Sequence, residues 1–241
     1  NEDRSGPTVK GEMTPTAPMA AMFGYGGDQQ MHHTKGRRRE LADNCRAKKI
    51  PLITFDGGLL SSFGNVSTSP DHHFRVSLYT PMHDADFLSD NSPSDRWEML
   101  VKKFDVKHEP WRKSNQDDPI IFVMQPKDNW SMNELDPIDW FNGVYEKLRP
   151  ATSRKFIVRP HPNNVSNILE RENELPDDVE IQYTQKNFVG DEKKYYRFHF
   201  QEAISNAHAV VTHNSTASVD SCIRGIPTFC TSDLALCWDV C

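Results

Sequence analysis

Residues 210–220 read Val-Val-Thr-His-Asn-Ser-Thr-Ala-Ser-Val-Asp, and this stretch predicts a short buried strand that runs directly into a helix. β-Branched residues open it, and apolar residues then recur at helical spacing until a glycine and a proline end the pattern. Ligands bind at the carboxyl ends of strands in open α/β sheets. The unpaired N–H groups of a helix start, with Asn214, Ser215 and Thr216, would suit a phosphate there. The alternative is that Ser215 or Thr216 only caps the helix.

The composition is typical of a globular protein. The chain has 241 residues, of which 37% are hydrophobic, with 13 Phe and 5 Trp. Its net charge of −6 argues against a surface built wholly to hold nucleic acid. The longest apolar run, residues 120–124, is far too short to span a bilayer, and no signal-peptide pattern appears. We therefore expect a cytoplasmic protein, with association at a membrane surface left open.

The cysteines and histidines give no sign of a metal site. Cysteines occur at positions 45, 222, 230, 237 and 241, without a C-x-x-C pair, so we expect reduced thiols. The ten histidines include adjacent pairs but no pair at the spacing of a zinc helix. The sequence therefore predicts neither a metal nor a cofactor.

The N-terminal half contains a strand, a helix and a second strand in succession, which is the repeating unit of a parallel sheet. A third strand and a second helix follow in a polar region. The predicted strands are 20–25, 50–55 and 74–79, and the predicted helices are 34–49 and 95–104.

The C-terminal half alternates strands and helices regularly, which predicts a doubly wound α/β domain. The predicted strands are 119–124, 155–158, 179–183, 210–212 and 228–230, and the predicted helices are 136–148, 165–171 and 198–207. Residues 114–118 are polar and resemble a linker. The predicted domains are therefore 1–115 and 116–241.

Asp56, Gly57 and Gly58 are predicted to form a sharp turn after a buried strand. A carboxylate between a strand end and glycines that admit a substrate suits a general base. The alternative is an aspartate that only satisfies its own turn.

His161 lies between two prolines, directly after another predicted strand. Because both prolines restrict the backbone, the direction of the imidazole is fixed. Together with Arg159, it could bind a phosphate or protonate a leaving group. The alternative is a histidine of a surface loop.

Four segments resemble, in order, motifs of the KpsC-type capsular-polysaccharide Kdo transferases. They are residues 50–64 (IPLITFDGGLLSSFG), 122–131 (FVMQPKDNWS), 156–162 (FIVRPHP) and 211–228 (VTHNSTASVDSCIRGIPT). Phe55 and Gly58 depart from the family pattern, which has an acidic and an aromatic residue there. Bacterial sialyltransferases have a similar set of motifs, which consists of an acidic-Asp-Gly motif, a His-Pro motif and a Ser-Ser/Thr pair. The resemblance implies a GT-B fold, with two Rossmann-like domains facing across a cleft, the N-terminal one short.

The resemblance also implies a reaction and assigns roles. The protein would be an inverting, metal-independent glycosyltransferase that moves a sugar from a nucleotide sugar, CMP-sugars being favoured, to a polysaccharide or glycolipid. Asp56 would be the base, and His161 would assist the departing nucleotide. Arg159, Asn214, Ser215 and Thr216 would bind the donor phosphate, and Gly57, Gly58, Gln125 and Asp128 would line the cleft.

Two other functions remain open at this point. The basic run 35–39 could meet phosphates of a nucleic acid or viral polymer that the enzyme modifies. A solvated helix face explains the same run in an acidic chain. Alternatively, the protein is a non-catalytic module that binds a nucleotide sugar.

Overall fold

The computed structural model describes most of the chain. The described residues are 18–24, 37–59, 74–82, 93–127, 129–183 and 200–241. Their strands form two sheets, one of three strands and one of five. The protein is therefore an α/β protein, as the sequence predicts.

The first sheet combines parallel and antiparallel pairing. Its elements are β1 (Ala20–Phe23), helix α1 (Arg37–Ala47), β2 (Leu52–Gly57) and β3 (Phe74–Leu78). β1 pairs with β2 in parallel, which confirms the predicted strand–helix–strand unit. β3 pairs with the other edge of β2 in the antiparallel direction. Met22, Ala42, Cys45 and Leu52 form the core between α1 and the sheet.

The predicted turn at residues 56–58 is wrong, because strand β2 continues through Gly57. In the antiparallel register, Asp56 lies opposite Arg75 and Gly57 lies opposite Phe74. Opposite charges at facing positions stabilise a strand pair. The carboxylate of Asp56 thus has a partner across the sheet and needs no turn to satisfy it.

Helix α2 (Asp95–Phe104) has the predicted bounds and follows the first sheet in the chain. None of its residues is buried among the described residues, and Trp97 and Met99 are largely exposed. The helix ends at Asp105, whose φ of 48° places it in the left-handed region that ends many helices.

The second sheet is entirely parallel. Its strands are β4 (Ile120–Val123), β5 (Phe156–Arg159), β6 (Val179–Ile181), β7 (Ala209–Thr212) and β8 (Thr228–Cys230). They lie in the order β6-β5-β4-β7-β8. The chain moves outward from β4 in one direction, then returns to the other side of β4. This is a Rossmann-like order, and its switch point lies between β4 and β7.

Helices flank the second sheet and supply its core. They are α3 (Pro137–Leu148), α4 (Val165–Glu170) and α5 (Ala217–Ile223), and residues 200–204 are also helical. On one face, the rings of Phe122 and Phe141 meet edge to face at 4.9 Å. On the other face, Ile121 packs with Ile204 and Ile226. Burial on both faces explains why the strands are continuously apolar.

Residues 109–118, which precede β4, form hydrogen bonds with segments that connect the strands of the second sheet. The N–H groups of Glu109 and Arg112 donate to the carbonyls of Ile223 and Gly225. The guanidinium of Arg154 donates to three carbonyls of residues 115–118. The domain boundary near residue 115 stays a prediction.

Gly225 is held against this stretch in a conformation that favours glycine. Its φ is +63°, and an added Cβ would lie 2.0 Å from the Pro110 carbonyl oxygen. Gly225→Ala should lower the free energy of unfolding by about 2 kcal/mol, because the left-handed conformation and the clash each cost about 1 kcal/mol.

Gly143→Ala is the matched control for this prediction. Gly143 lies inside α3, and a Cβ there would meet nothing within 4 Å. This variant should raise the free energy of unfolding by about 1 kcal/mol, because alanine loses less backbone entropy in a helix. Chemical denaturation measures both variants, and a shift of the same sign in the two would contradict the packing described for Gly225.

Candidate functional site

The carboxyl ends of β4 and β7 are joined by a buried amide network at the switch point. The Nε2 group of Gln125, directly beyond β4, donates to Oδ1 of Asn214 at 2.7 Å. The Oε1 atom of Gln125 accepts from the backbone N–H of Asn214 at 2.9 Å. Both side chains are almost wholly buried. This reciprocal pair fixes the two chain segments against each other.

The side chain of Asn214 has protein partners for both of its N–H donors. Its Nδ2 group donates to the Ser131 carbonyl at 2.8 Å and, more weakly, to Oγ of Ser232 at 3.4 Å. Gln125 Nε2 also donates to Oγ of Ser131 at 2.9 Å. The geometry therefore favours a positioning role for Asn214 and Gln125, which shape the site without offering free donors to a ligand.

Arg159 provides a buried positive charge at the end of β5. It pairs in register with Val123 of β4 and is only 5% exposed. Its Nη1 group donates to Oε1 of Gln182. Among the described residues no carboxylate forms an ion pair with it. Burial lowers the pKa of Arg159 to about 10, so it stays charged at neutral pH.

His161 follows Arg159 by two residues, beyond the carboxyl end of β5. Its carbonyl accepts from the N–H of Asn164 at 2.8 Å, which fixes the short 3-10 turn Pro162–Asn164 after it. The residue is partly buried. Burial lowers the pKa of His161 from its ordinary value, so the imidazole is neutral at pH 7.

Ser215 occupies a position that serves both the helix and a ligand. Its Oγ accepts from the N–H of Ala217 at 3.2 Å, which caps the start of α5. This leaves the hydroxyl proton available as a donor. Thr216 is exposed and makes no capping hydrogen bond with its side chain. α5 has only seven residues, so its helix dipole is small. Binding of an anion here would therefore depend mainly on side-chain donors such as the Ser215 hydroxyl.

His213 is a residue at this edge that the sequence analysis did not select. It follows β7 directly, and its Nδ1 atom lies 2.8 Å from Oγ1 of Thr231. The same hydroxyl oxygen accepts from the indole N–H of Trp140 at 2.8 Å. Burial lowers the pKa of His213. Its position directly after a strand was a sequence signal, since the same signal marked Asn214.

Asp56 lies in the first sheet and is paired there. Its Oδ2 atom is 3.0 Å from Nη2 of Arg75, and its Oδ1 atom accepts from the N–H of Gly57 at 2.8 Å. Arg75 also donates to the carbonyls of Gly57 and Pro81. About a third of the Asp56 side chain is exposed, so one face of the carboxylate is open to solvent.

The candidate residues thus fall into two groups among the described residues. Gln125 and Asn214 are in direct contact, Arg159 is the last residue of the neighbouring strand β5, and His161 follows that strand. Asp56 makes no described hydrogen bond or ion pair with any of them. Gly57 belongs to strand β2 together with Asp56, and Gly58 directly follows that strand, whereas Asp128 lies outside the described residues.

Comparison with known proteins adds no relative. No protein-family model matches the chain, and no curated protein matches it. Among the described residues, no helix is both long and apolar enough to cross a membrane. Within the same ranges, no three His, Cys, Asp or Glu side chains are arranged to hold a metal ion.

Proposed function

We propose that the protein is an inverting, metal-independent glycosyltransferase that uses a nucleotide sugar, with CMP-sugars favoured, to glycosylate a polysaccharide or glycolipid. In this proposal the second sheet binds the nucleotide, and the first sheet belongs to an acceptor-side lobe of a GT-B arrangement. The observation that carries the proposal is the buried guanidinium of Arg159 at the carboxyl edge of a Rossmann-like sheet.

A buried guanidinium without a carboxylate destabilises a fold, because desolvation of the charge is not offset. The described partner of Arg159 is the side-chain amide oxygen of Gln182. This bond uses one of the five N–H donors of the guanidinium. A phosphate would supply the missing negative charge and accept two of these donors side by side. Arg159 therefore fits an anion at the place where Rossmann-like sheets bind nucleotides.

His161 and Ser215 supply further donors for the same phosphate. A neutral imidazole donates one N–H group, and the Ser215 hydroxyl keeps its proton after capping α5. When the bond between the anomeric carbon and the phosphate oxygen breaks, the negative charge on that oxygen grows. Donors that are already in position stabilise this charge without reorganising. This is the part of the chemistry that the second sheet supports.

The other half of the reaction needs a base for the acceptor hydroxyl, and Asp56 is the proposed one. The acceptor oxygen attacks the anomeric carbon from the face opposite the nucleotide, and its proton passes to the Asp56 carboxylate. Attack from that face inverts the configuration. The carboxylate that would accept the proton lies 3.0 Å from Arg75, and about a third of the Asp56 side chain is exposed.

A non-catalytic nucleotide-sugar-binding module is the second candidate, and the Asp56–Arg75 pair is the observation that favours it. A carboxylate held by an arginine in a strand pair has a structural purpose of its own. In that case the second sheet would bind the nucleotide, and no sugar would leave it.

A panel of CMP-, UDP- and GDP-sugars separates the two candidates. We expect one of them to raise the melting temperature, because a ligand of the folded state stabilises it. The matching donor should then be hydrolysed or transferred on incubation with an acceptor panel. Binding without either reaction would favour the module, and no binding to any member would contradict both candidates.

His161→Ala and Ser215→Ala should each weaken binding of the matching nucleotide by about 1–3 kcal/mol, the loss expected for a hydrogen bond to a charged group.

The affinity of the wild type for the nucleotide should also rise as the pH falls from about 8 to about 5. A bound phosphate raises the lowered pKa of His161, so protons are taken up on binding.

Calorimetry across that pH range measures both effects. His161→Ala should remove most of the pH dependence, whereas His108→Ala, at an exposed position, should change neither affinity nor its slope. Unchanged affinity in both the His161 and Ser215 variants would rule out their roles at the phosphate.

A further inference from the structure

Cysteines at positions 222, 230, 237 and 241 converge, although they are well separated along the chain. We call them the four-thiol cluster. Cys222 lies at the end of α5 and Cys230 at the end of β8. Cys241 forms a hydrogen bond with Cys230, and Cys222 and Cys237 lie close enough to influence its protonation. Cys45, the remaining cysteine, lies in the core of the first sheet.

One pair within the cluster is placed for a bond between sulfur atoms. The Sγ atoms of Cys230 and Cys241 are 3.5 Å apart, and the pair is accessible to solvent. A disulfide requires about 2.0 Å, so the two atoms need to approach by about 1.5 Å. Rotation of an exposed side chain such as Cys241 can supply this movement. No three thiols of the described chain are arranged around a metal position, so the geometry favours a pair over a metal centre.

We propose that Cys230 and Cys241 are an oxidation site, at which a peroxide converts the two thiols into a disulfide. The Cys230 thiolate attacks one oxygen of hydrogen peroxide, the O–O bond breaks, and a sulfenic acid and hydroxide form. The hydroxide takes up the proton that the Cys230 thiol had released and becomes water. The sulfur of Cys241 then attacks the Cys230 sulfur and expels hydroxide, which leaves as water with the Cys241 proton. Two thiols are oxidised by two electrons, and one peroxide is reduced to two waters.

The protonation of the pair agrees with these roles. The Cys230 thiol is placed to donate to the sulfur of Cys241. When Cys230 loses its proton, the Cys241 thiol can donate to the resulting thiolate instead, and this lowers the pKa of Cys230. The same contacts raise the pKa of Cys241, which therefore keeps its proton. A partly exposed thiolate is the form of cysteine that attacks a peroxide.

In the sequence, the oxidation site is directly followed by residues that contact the proposed nucleotide site. Thr231 follows Cys230, and its N–H donates to the carbonyls of Thr212 and His213. The next residue, Ser232, accepts a hydrogen bond at its Oγ atom from Nδ2 of Asn214, at 3.4 Å. A disulfide between Cys230 and Cys241 would close residues 230–241 into a covalent loop beginning at this edge. The oxidation site does not depend on the proposed transferase activity, since it needs only the two thiols and a peroxide.

The experiment treats the reduced full chain with a small excess of hydrogen peroxide, alkylates the remaining thiols and maps the peptides by mass spectrometry. We expect one disulfide, which joins the peptides of Cys230 and Cys241, with a loss of two hydrogens per molecule. Cys45 should be recovered as an alkylated thiol and serves as the internal control. Cys237→Ala should still form the bond.

Cys230→Ser and Cys241→Ser should each abolish the bond. Because Cys241 is exposed, its substitution should leave the melting temperature unchanged, which keeps the test valid if the Cys230 variant folds poorly. The proposal is overturned if peroxide yields no disulfide while the thiols are lost to higher oxidation states. It is also overturned if the bond joins Cys222 to Cys237, or if either serine variant forms an intramolecular disulfide to the same extent as the wild type.

Discussion

Replacing Arg159 with methionine is expected to reduce the affinity for the matching nucleotide sugar by about 10²-fold. Paired charged hydrogen bonds to a phosphate contribute about 3 kcal/mol, and every 1.4 kcal/mol is about tenfold in affinity. Methionine fills most of the same buried volume, so the site keeps its shape. Isothermal titration of both proteins with the nucleotide sugar measures the difference.

The same substitution should not destabilise the unliganded protein. Arg159 is buried, and the described structure gives its charge no carboxylate, so an apolar side chain removes an uncompensated desolvation cost. We therefore expect the free energy of unfolding of Arg159→Met to equal or exceed that of the wild type. Lower stability together with unchanged affinity would mean that Arg159 is a structural residue.

Arg171→Met is the matched control. Arg171 forms ion pairs with Asp136 and Glu174, at 2.7 Å in each case. Its loss removes the ion pair of Glu174 and leaves Asp136 with Lys127 at 3.6 Å, and should lower the free energy of unfolding by about 1 kcal/mol. Nucleotide affinity should stay as in the wild type. If Arg159→Met lowers only the nucleotide affinity and Arg171→Met lowers only the free energy of unfolding, then Arg159 binds the ligand and Arg171 stabilises the fold.

Asp56→Asn is expected to reduce sugar transfer by at least about 10²-fold, the low end for loss of a general base. Asparagine keeps the size of the side chain but cannot accept the acceptor's proton. Nucleotide binding should be unchanged, because the second sheet supplies the proposed phosphate contacts. Initial rates of transfer, or of donor hydrolysis where no acceptor is found, measure the effect.

Arg75→Gln is the control that separates catalysis from pairing. It breaks the same ion pair from the other side but leaves the carboxylate in place. If Asp56 is the base, Arg75→Gln should retain activity, because the carboxylate that accepts the proton is still present. If the pair is only structural, the two variants should lose stability and activity to the same extent. Equal rates in the wild type and Asp56→Asn would remove the base from the mechanism.

Local signals predicted much of the second sheet. The bounds of α3 follow from Asp136, whose Oδ1 accepts from the N–H of Ile138, and from Pro137 at the first helical position. The apolar run at residues 120–124 gave the central strand β4, because strands covered on both faces are continuously apolar. Capping and burial act over a few residues, so a single sequence reveals them.

Contacts between distant segments could not be predicted in this way. The turn predicted at Asp56 was wrong, because the partner that extends the strand, Arg75, lies 19 residues away. The reciprocal pair of Gln125 and Asn214 joins positions 89 residues apart. The four-thiol cluster has no regular spacing along the chain. In each case the sequence supplied the residue types, and only the fold brought them together.

In the proposed function, Arg159 and His161, at the carboxyl edge of the second sheet, hold the phosphate of a nucleotide sugar. The most direct test is a crystal structure of the protein with the nucleotide sugar selected by the thermal screen. We expect a phosphate oxygen within about 3 Å of the Arg159 guanidinium, the usual length of a charged hydrogen bond, with the His161 imidazole and the Ser215 hydroxyl directed at the same group. A nucleotide bound elsewhere, with Arg159 still turned only to Gln182, would contradict it.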